Sequence, residues 1–109
     1  GASNATRGVL FGGRYVGTRS KIEYVTIASL GNGTDFGDLS RTTTRDGGSV
    51  ASPTRAVFAG GDQQQPSAAN RVNIIDYIEI STKGDAIDFG DLTVARNHMA
   101  GMSNAHGGL

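Results

Sequence analysis

The chain has 109 residues, with ten basic and ten acidic side chains, two histidines and no cysteine. That balance leaves no net field to draw in nucleic acid or an anionic membrane, and the missing thiols exclude disulfides, thiolate metal sites and a cysteine nucleophile. Glycine, at 17 residues, is about twice as frequent as average and lacks collagen's three-residue period, which points to tight turns and closely packed backbones.

Gly1 to Thr6 is small and polar, without the pattern of a signal peptide. It also lacks an initiator methionine, so the chain is expected to be processed or excerpted. Short apolar segments follow at Val9–Phe11, Ile22–Ala28, Phe36–Leu39 and Ser49–Ala51, then at Val57–Ala59, Val72–Ile80, Phe89–Val94 and His98–Met102. They are rich in β-branched and aromatic residues and bounded by Gly, Asn, Asp and Ser, so each is predicted to be a strand. None sustains a 3.6-residue period, and no helix is predicted. Leu30-Gly31-Asn32-Gly33 and Lys83-Gly84-Asp85-Ala86 read as hairpin turns. No apolar run approaches the ~20 residues of a membrane span.

The chain also repeats itself. Thr6-Arg7-Gly8-Val9-Leu10-Phe11-Gly12-Gly13 matches Thr54-Arg55-Ala56-Val57-Phe58-Ala59-Gly60-Gly61. Ile22-Glu23-Tyr24-Val25-Thr26-Ile27 matches Ile75-Asp76-Tyr77-Ile78-Glu79-Ile80, and Asp35-Phe36-Gly37-Asp38-Leu39-Ser40 matches Asp88-Phe89-Gly90-Asp91-Leu92-Thr93. Three blocks in the same order indicate duplication with a period near 50. The second copy carries extra residues between its Gly-Gly and its Ile-Asp-Tyr. We divide the chain into a first repeat over 1–52, a second over 53–103 and the start of a third over 104–109. Ending as another unit starts suggests a window of a longer array or a subunit of an oligomer.

Ile22, Tyr24, Val25 and Ile27, like Ile75, Tyr77, Ile78 and Ile80, fall on both faces of their strands. A strand with one wet face alternates more cleanly, so a sheet sandwiched between two neighbours is expected. Two four-stranded antiparallel repeats of this kind suit an all-β fold of β-propeller blades. Phe11, Tyr24, Phe36, Phe58, Tyr77 and Phe89 are the expected structural core.

The Val-Leu-Phe-Gly-Gly and Val-Phe-Ala-Gly-Gly strands resemble the double-glycine strand of kelch repeats. Taken with Ile-Glu/Asp-Tyr, Asp-Phe-Gly-Asp-Leu-Ser/Thr and Ser-Asn-Ala, the pattern is similar to kelch-like repeats in virion and tail-fibre proteins of tailed bacteriophages. No tryptophan follows the tyrosine, and Phe36 and Phe89 take its place at a longer spacing. The resemblance implies a virion appendage role in adhesion or assembly, outside the cell, with neighbouring blades as partners.

No catalytic constellation emerges. Asp35-Phe36-Gly37 and Asp88-Phe89-Gly90 match a kinase string, but their recurrence and the missing kinase elements make them structural. Asp35, Asp38, Asp88 and Asp91 lack the spacing of a calcium loop and read as turn caps. Gly31-Asn32-Gly33 has no βαβ unit behind it, and the sequons at Asn4 and Asn32 matter only in a eukaryotic secretory pathway. His98 and His106 have no carboxylate arranged near them in sequence. Arg7 and Arg55 recur and are expected to pair with the recurrent aspartates of their own or a neighbouring blade. We therefore predict no enzyme, no metal and no cofactor.

The best binding candidates lie where the copies differ, because loops on a rigid scaffold carry recognition. These are Arg14, Tyr15 and Arg19 in the first repeat and Gln63, Gln64, Gln65, Asn70 and Arg71 in the second. Their amide, guanidinium and phenol groups can hydrogen-bond a sugar or a protein backbone, so a host-surface glycan or another virion protein is the expected ligand. Two alternatives are a carbohydrate-oxidase propeller, disfavoured by the absent cysteine ligand, and an intracellular adaptor propeller.

Overall fold

The computed structural model describes residues 1–13, 20–41, 46–65 and 68–103. It is all-β, with no helix among the described residues. The first sheet runs β1 (Ala2–Ser3), β2 (Arg7–Phe11), β3 (Lys21–Thr26), β4 (Thr34–Asp38), each antiparallel to the next. The second repeats that order with β5 (Gly48–Ala51), β6 (Arg55–Ala59), β9 (Ile74–Glu79) and β10 (Ile87–Asp91). Between β6 and β9 stands a separate hairpin, β7 (Asp62–Gln65) and β8 (Ala68–Arg71).

Equivalent turns build equivalent corners. The Asn4 side chain accepts from the backbone N–H of Thr6 and Arg7, and Ser52 does the same for Thr54 and Arg55. Each is a short polar side chain standing in for a backbone turn before the β2 or β6 strand begins. Both β3–β4 and β9–β10 slip register next to Gly37 or Gly90, so the bulge is part of the repeat.

The structural sheets are offset by one strand from the sequence repeats. Ser49–Ala51, at the end of the first repeat, pairs with β6 and so opens the second sheet. The covalent link between repeats therefore carries a strand of one into the sheet of the next. His98–Met102, predicted as a strand, forms none: His98 has a φ of 54° and no ladder continues through the segment. β1 and β5 each pair with the strand that follows them, and among the described residues no strand follows His98–Met102. The segment predicted as a loop over 62–71 holds the β7–β8 hairpin.

The core is the space between the two sheets. Val9, Ile22, Phe36 and Leu39 of the first pack against Ala56, Phe58, Ile78 and Ile80 of the second, all buried. Phe11 stacks on Phe58 at 5.2 Å between ring centroids, and Tyr24 meets Phe36 edge-on at 6.0 Å. Of the predicted core aromatics, Phe36 and Phe58 are buried, while Phe11, Tyr24 and Tyr77 are half-buried.

Phe89 departs from the prediction: it is 61% exposed, against 3% for its counterpart Phe36. The local setting is conserved, since Phe89 meets Tyr77 edge-on at 5.9 Å, much as Phe36 meets Tyr24. What differs is the neighbour. Phe36 is covered by the second sheet, and nothing in the described residues covers Phe89.

Candidate functional site

The sheet-to-sheet junction is closed along the outer edge of β4 by the turn between β9 and β10. Gly84 N–H donates to Phe36 O at 2.9 Å and Ala86 N–H to Asp38 O at 2.8 Å. The Asp85 side chain accepts from Asp38 N–H at 2.9 Å. The turn of the second repeat thus satisfies the outer edge of β4, which would otherwise present unpaired backbone groups. The approach is close enough that a Cβ on Gly37 would lie 2.2 Å from Gly84 O.

A buried polar knot sits deeper. Asp76, fully buried, accepts from Ser40 Oγ at 2.6 Å and from Ser40 N–H at 3.0 Å, and forms an ion pair with Arg41, whose Nη1 lies 2.9 Å from it. Arg41 also donates to Gly60 O at 3.1 Å and lies over the Phe58 ring. Burial lowers the Arg41 pKa from its usual value, while Asp76 and then Asp88 act against that shift. The enclosed pair links the turn after β4 to β9 of the second sheet.

Arg7 donates to Ile80 O at 2.9 Å and lies 4.5 Å above the Tyr24 ring, so it crosses the junction to a backbone carbonyl. Arg55 lies 4.8 Å above Tyr77 and pairs with Glu79 at 2.7 Å. His98 comes within 3.6 Å of Asp46, a carboxylate distant in sequence, with three-quarters of the His98 side chain in solvent. Among the described residues no group of three His, Asp or Glu side chains is placed to hold a metal.

The predicted binding residues divide. Arg14, Tyr15 and Arg19 lie outside the described residues. Gln63 pairs with Asn70 in the β7–β8 ladder, Gln64 with Ala69 and Gln65 with Ala68. Arg71 is exposed and opposes Asp62. The polar residues of the second repeat are therefore brought onto one two-stranded arm. Its base is pinned: Val72 N–H donates to Gly61 O, Gly61 N–H to Arg96 O, and the Asn97 amide to the buried Asp62 carboxylate at 2.9 Å. A concavity of about 510 Å³ runs between β1 and β5 and past Gly101. Its lining of Gly, Ala, Ser, Val, Asn and Pro holds no charged side chain.

Sequence reasoning missed the Arg41–Asp76 pair and the Asn97–Asp62 anchor. Arg41 faces Val94 in the repeat alignment and Asp76 faces Glu23, so neither partner of the pair recurs as such. No protein-family model and no curated protein matches the chain.

Proposed function

We propose that the chain is a non-enzymatic structural and binding module whose two sheets are kelch-like β-propeller blades, of the kind its repeat resembles in tailed-phage appendages. The β7–β8 arm is the contact element, and a host-surface glycan is its ligand. The observation that carries this reading is the arm itself. It is hydrogen-bonded into neither four-stranded sheet, interrupts the second repeat, and concentrates Gln63, Gln64, Gln65, Asn70 and Arg71 on a pinned base. Amide and guanidinium groups gathered on one ladder suit the hydroxyl groups of a sugar. The location implied is the outer surface of a virion.

The test is retention of the chain on immobilised bacterial surface polysaccharides. Gln63→Ala with Arg71→Ala is expected to abolish retention while circular dichroism stays unchanged. Retention that survives both substitutions refutes the arm as the contact element. Retention on virion proteins and on no polysaccharide would replace the glycan with a protein ligand.

A further inference from the structure

The junction between the two sheets uses one face of each, and the chain repeats both faces. The first sheet contributes Val9, Ile22 and Phe36 to the core; the second contributes Phe58, Asp76, Ile78 and Ile80 from its opposite face. By the repeat alignment, the second sheet's outward face carries Val57, Ile75 and Phe89 at the positions of Val9, Ile22 and Phe36. The first sheet's outward face carries Leu10, Glu23, Val25 and Ile27 at the positions of Phe58, Asp76, Ile78 and Ile80. Phe89, Leu10 and Ile27 are 61%, 54% and 56% exposed, whereas Phe36, Phe58 and Ile80 are 5% exposed or less.

The polar contacts have counterparts as well. Ser40, which donates to Asp76, corresponds to exposed Thr93, and Asp76 corresponds to exposed Glu23. The turn that covers the edge of β4, Gly84-Asp85-Ala86, corresponds to exposed Gly31-Asn32-Gly33. The edge it would cover is β10, where a Cβ on Gly90 has nothing within 4 Å. Gly8, Leu10 and Val25 line an open groove of about 370 Å³ on the free face.

We infer that this chain assembles head to tail with further copies of itself, the Leu10–Val25–Ile27 face of one copy receiving Phe89 of the next and Gly31–Gly33 closing over β10. The occupant of each end is the opposite end of another copy, because the internal junction already shows these two faces fitted together. The end junction is smaller and less polar than the internal one: Ala59 and Leu10 replace the stacked Phe11 and Phe58, and Val94 replaces Arg41. A contact between two different faces is heterologous, so it propagates and is satisfied throughout only when a ring closes. With two sheets per copy, rings of about 4–8 blades correspond to two, three or four copies.

This inference rests on the repeats being blades but not on the arm binding a glycan, and the two fail separately: polysaccharide retention reads the arm, and mass reads the ends. The experiment is light scattering of the 109-residue chain and of two variants, Phe89→Asp and Ile27→Asp, each at an exposed position. The wild-type chain is expected as a discrete species of two to four copies, and each variant as a folded monomer by circular dichroism. An equimolar mixture of the variants retains one intact junction and is expected to form a two-chain species. A wild-type monomer at its highest soluble concentration overturns the inference. So does a mass that only one of the variants changes, or a mixture that stays monomeric.

Discussion

Replacing Phe36 by alanine tests the packing between the sheets. The ring is 3% exposed, stands edge-on to Tyr24 and lies in the cluster with Ile22, Ile78 and Ile80. Buried Phe→Ala changes cost about 3–5 kcal/mol, the sum of lost transfer energy and an unfilled cavity. The site lies between two sheets that can draw together, so we place Phe36→Ala at the lower end, about 3 kcal/mol. In a domain of this size that corresponds to a fall of roughly 12–24 °C in Tm. Phe89→Ala is the internal control. With 61% of its surface already in solvent, it has much less apolar area to lose, and its cost is about 1 kcal/mol at protein concentrations too low for assembly. The assay is urea unfolding followed by circular dichroism, both variants beside the wild type at the same low concentration. A Phe36→Ala cost below about 1 kcal/mol, or equal costs for the two variants, would refute the burial of Phe36 between the sheets.

Three further outcomes are expected. Gly37→Ala and Gly90→Ala share nearly the same backbone, with φ of 156° and 153°, but only the first would drive a Cβ into Gly84. Gly37→Ala is therefore expected to be the more destabilising in thermal unfolding of the monomer, and equal effects would mean that strain, not the junction, sets the cost. Asp76→Ala strands a buried Arg41 and two donors of Ser40, and is expected to cost about 3–5 kcal/mol in the same urea assay. A cost below about 1 kcal/mol would mean that the pair is hydrated. Deleting Gln63 to Gln65 is expected to leave both four-stranded sheets folded, because β7–β8 is bonded to neither. Loss of the folded circular dichroism signal would make the arm part of the core.

Much of this architecture is legible in the sequence because it is written twice. The strands at Arg7–Phe11, Lys21–Thr26 and Thr34–Asp38 and their second copies are marked by matched blocks, whereas the two-faced apolar pattern of Ile22 to Ile27 calls for neighbours on both sides and the described residues supply one, on the Ile22 face. What the sequence hid depends on where a segment finds its partner. Ser49–Ala51 and His98–Met102 look alike as strand candidates, yet only the first has a following strand within the described residues to pair with. The arm was hidden for a local reason: Gln-rich and Ala-rich segments carry weak strand preference, and their pairing follows from the Gly61–Val72 closure and the Asp62 anchor. The candidate binding residues were chosen as a region of difference between copies. Their gathering onto one ladder was not visible until β7 faced β8. The junction's ion pair was invisible because Arg41 and Asp76 lie far apart in the chain and do not recur as a pair.

The central claim is that one repeat's turn seals the edge of the sheet before it, while the equivalent turn at the free end waits for a partner. Amide hydrogen exchange measures it directly. At low concentration, the Gly84 and Ala86 amides, which donate to Phe36 and Asp38, are expected to be protected, and those of Gly31 and Gly33 to exchange rapidly. As concentration rises, Gly31 and Gly33 are expected to gain protection together with the increase in mass. Exchange at Gly84 and Ala86 as fast as at Gly31 and Gly33 under all conditions would contradict the packing of the two sheets.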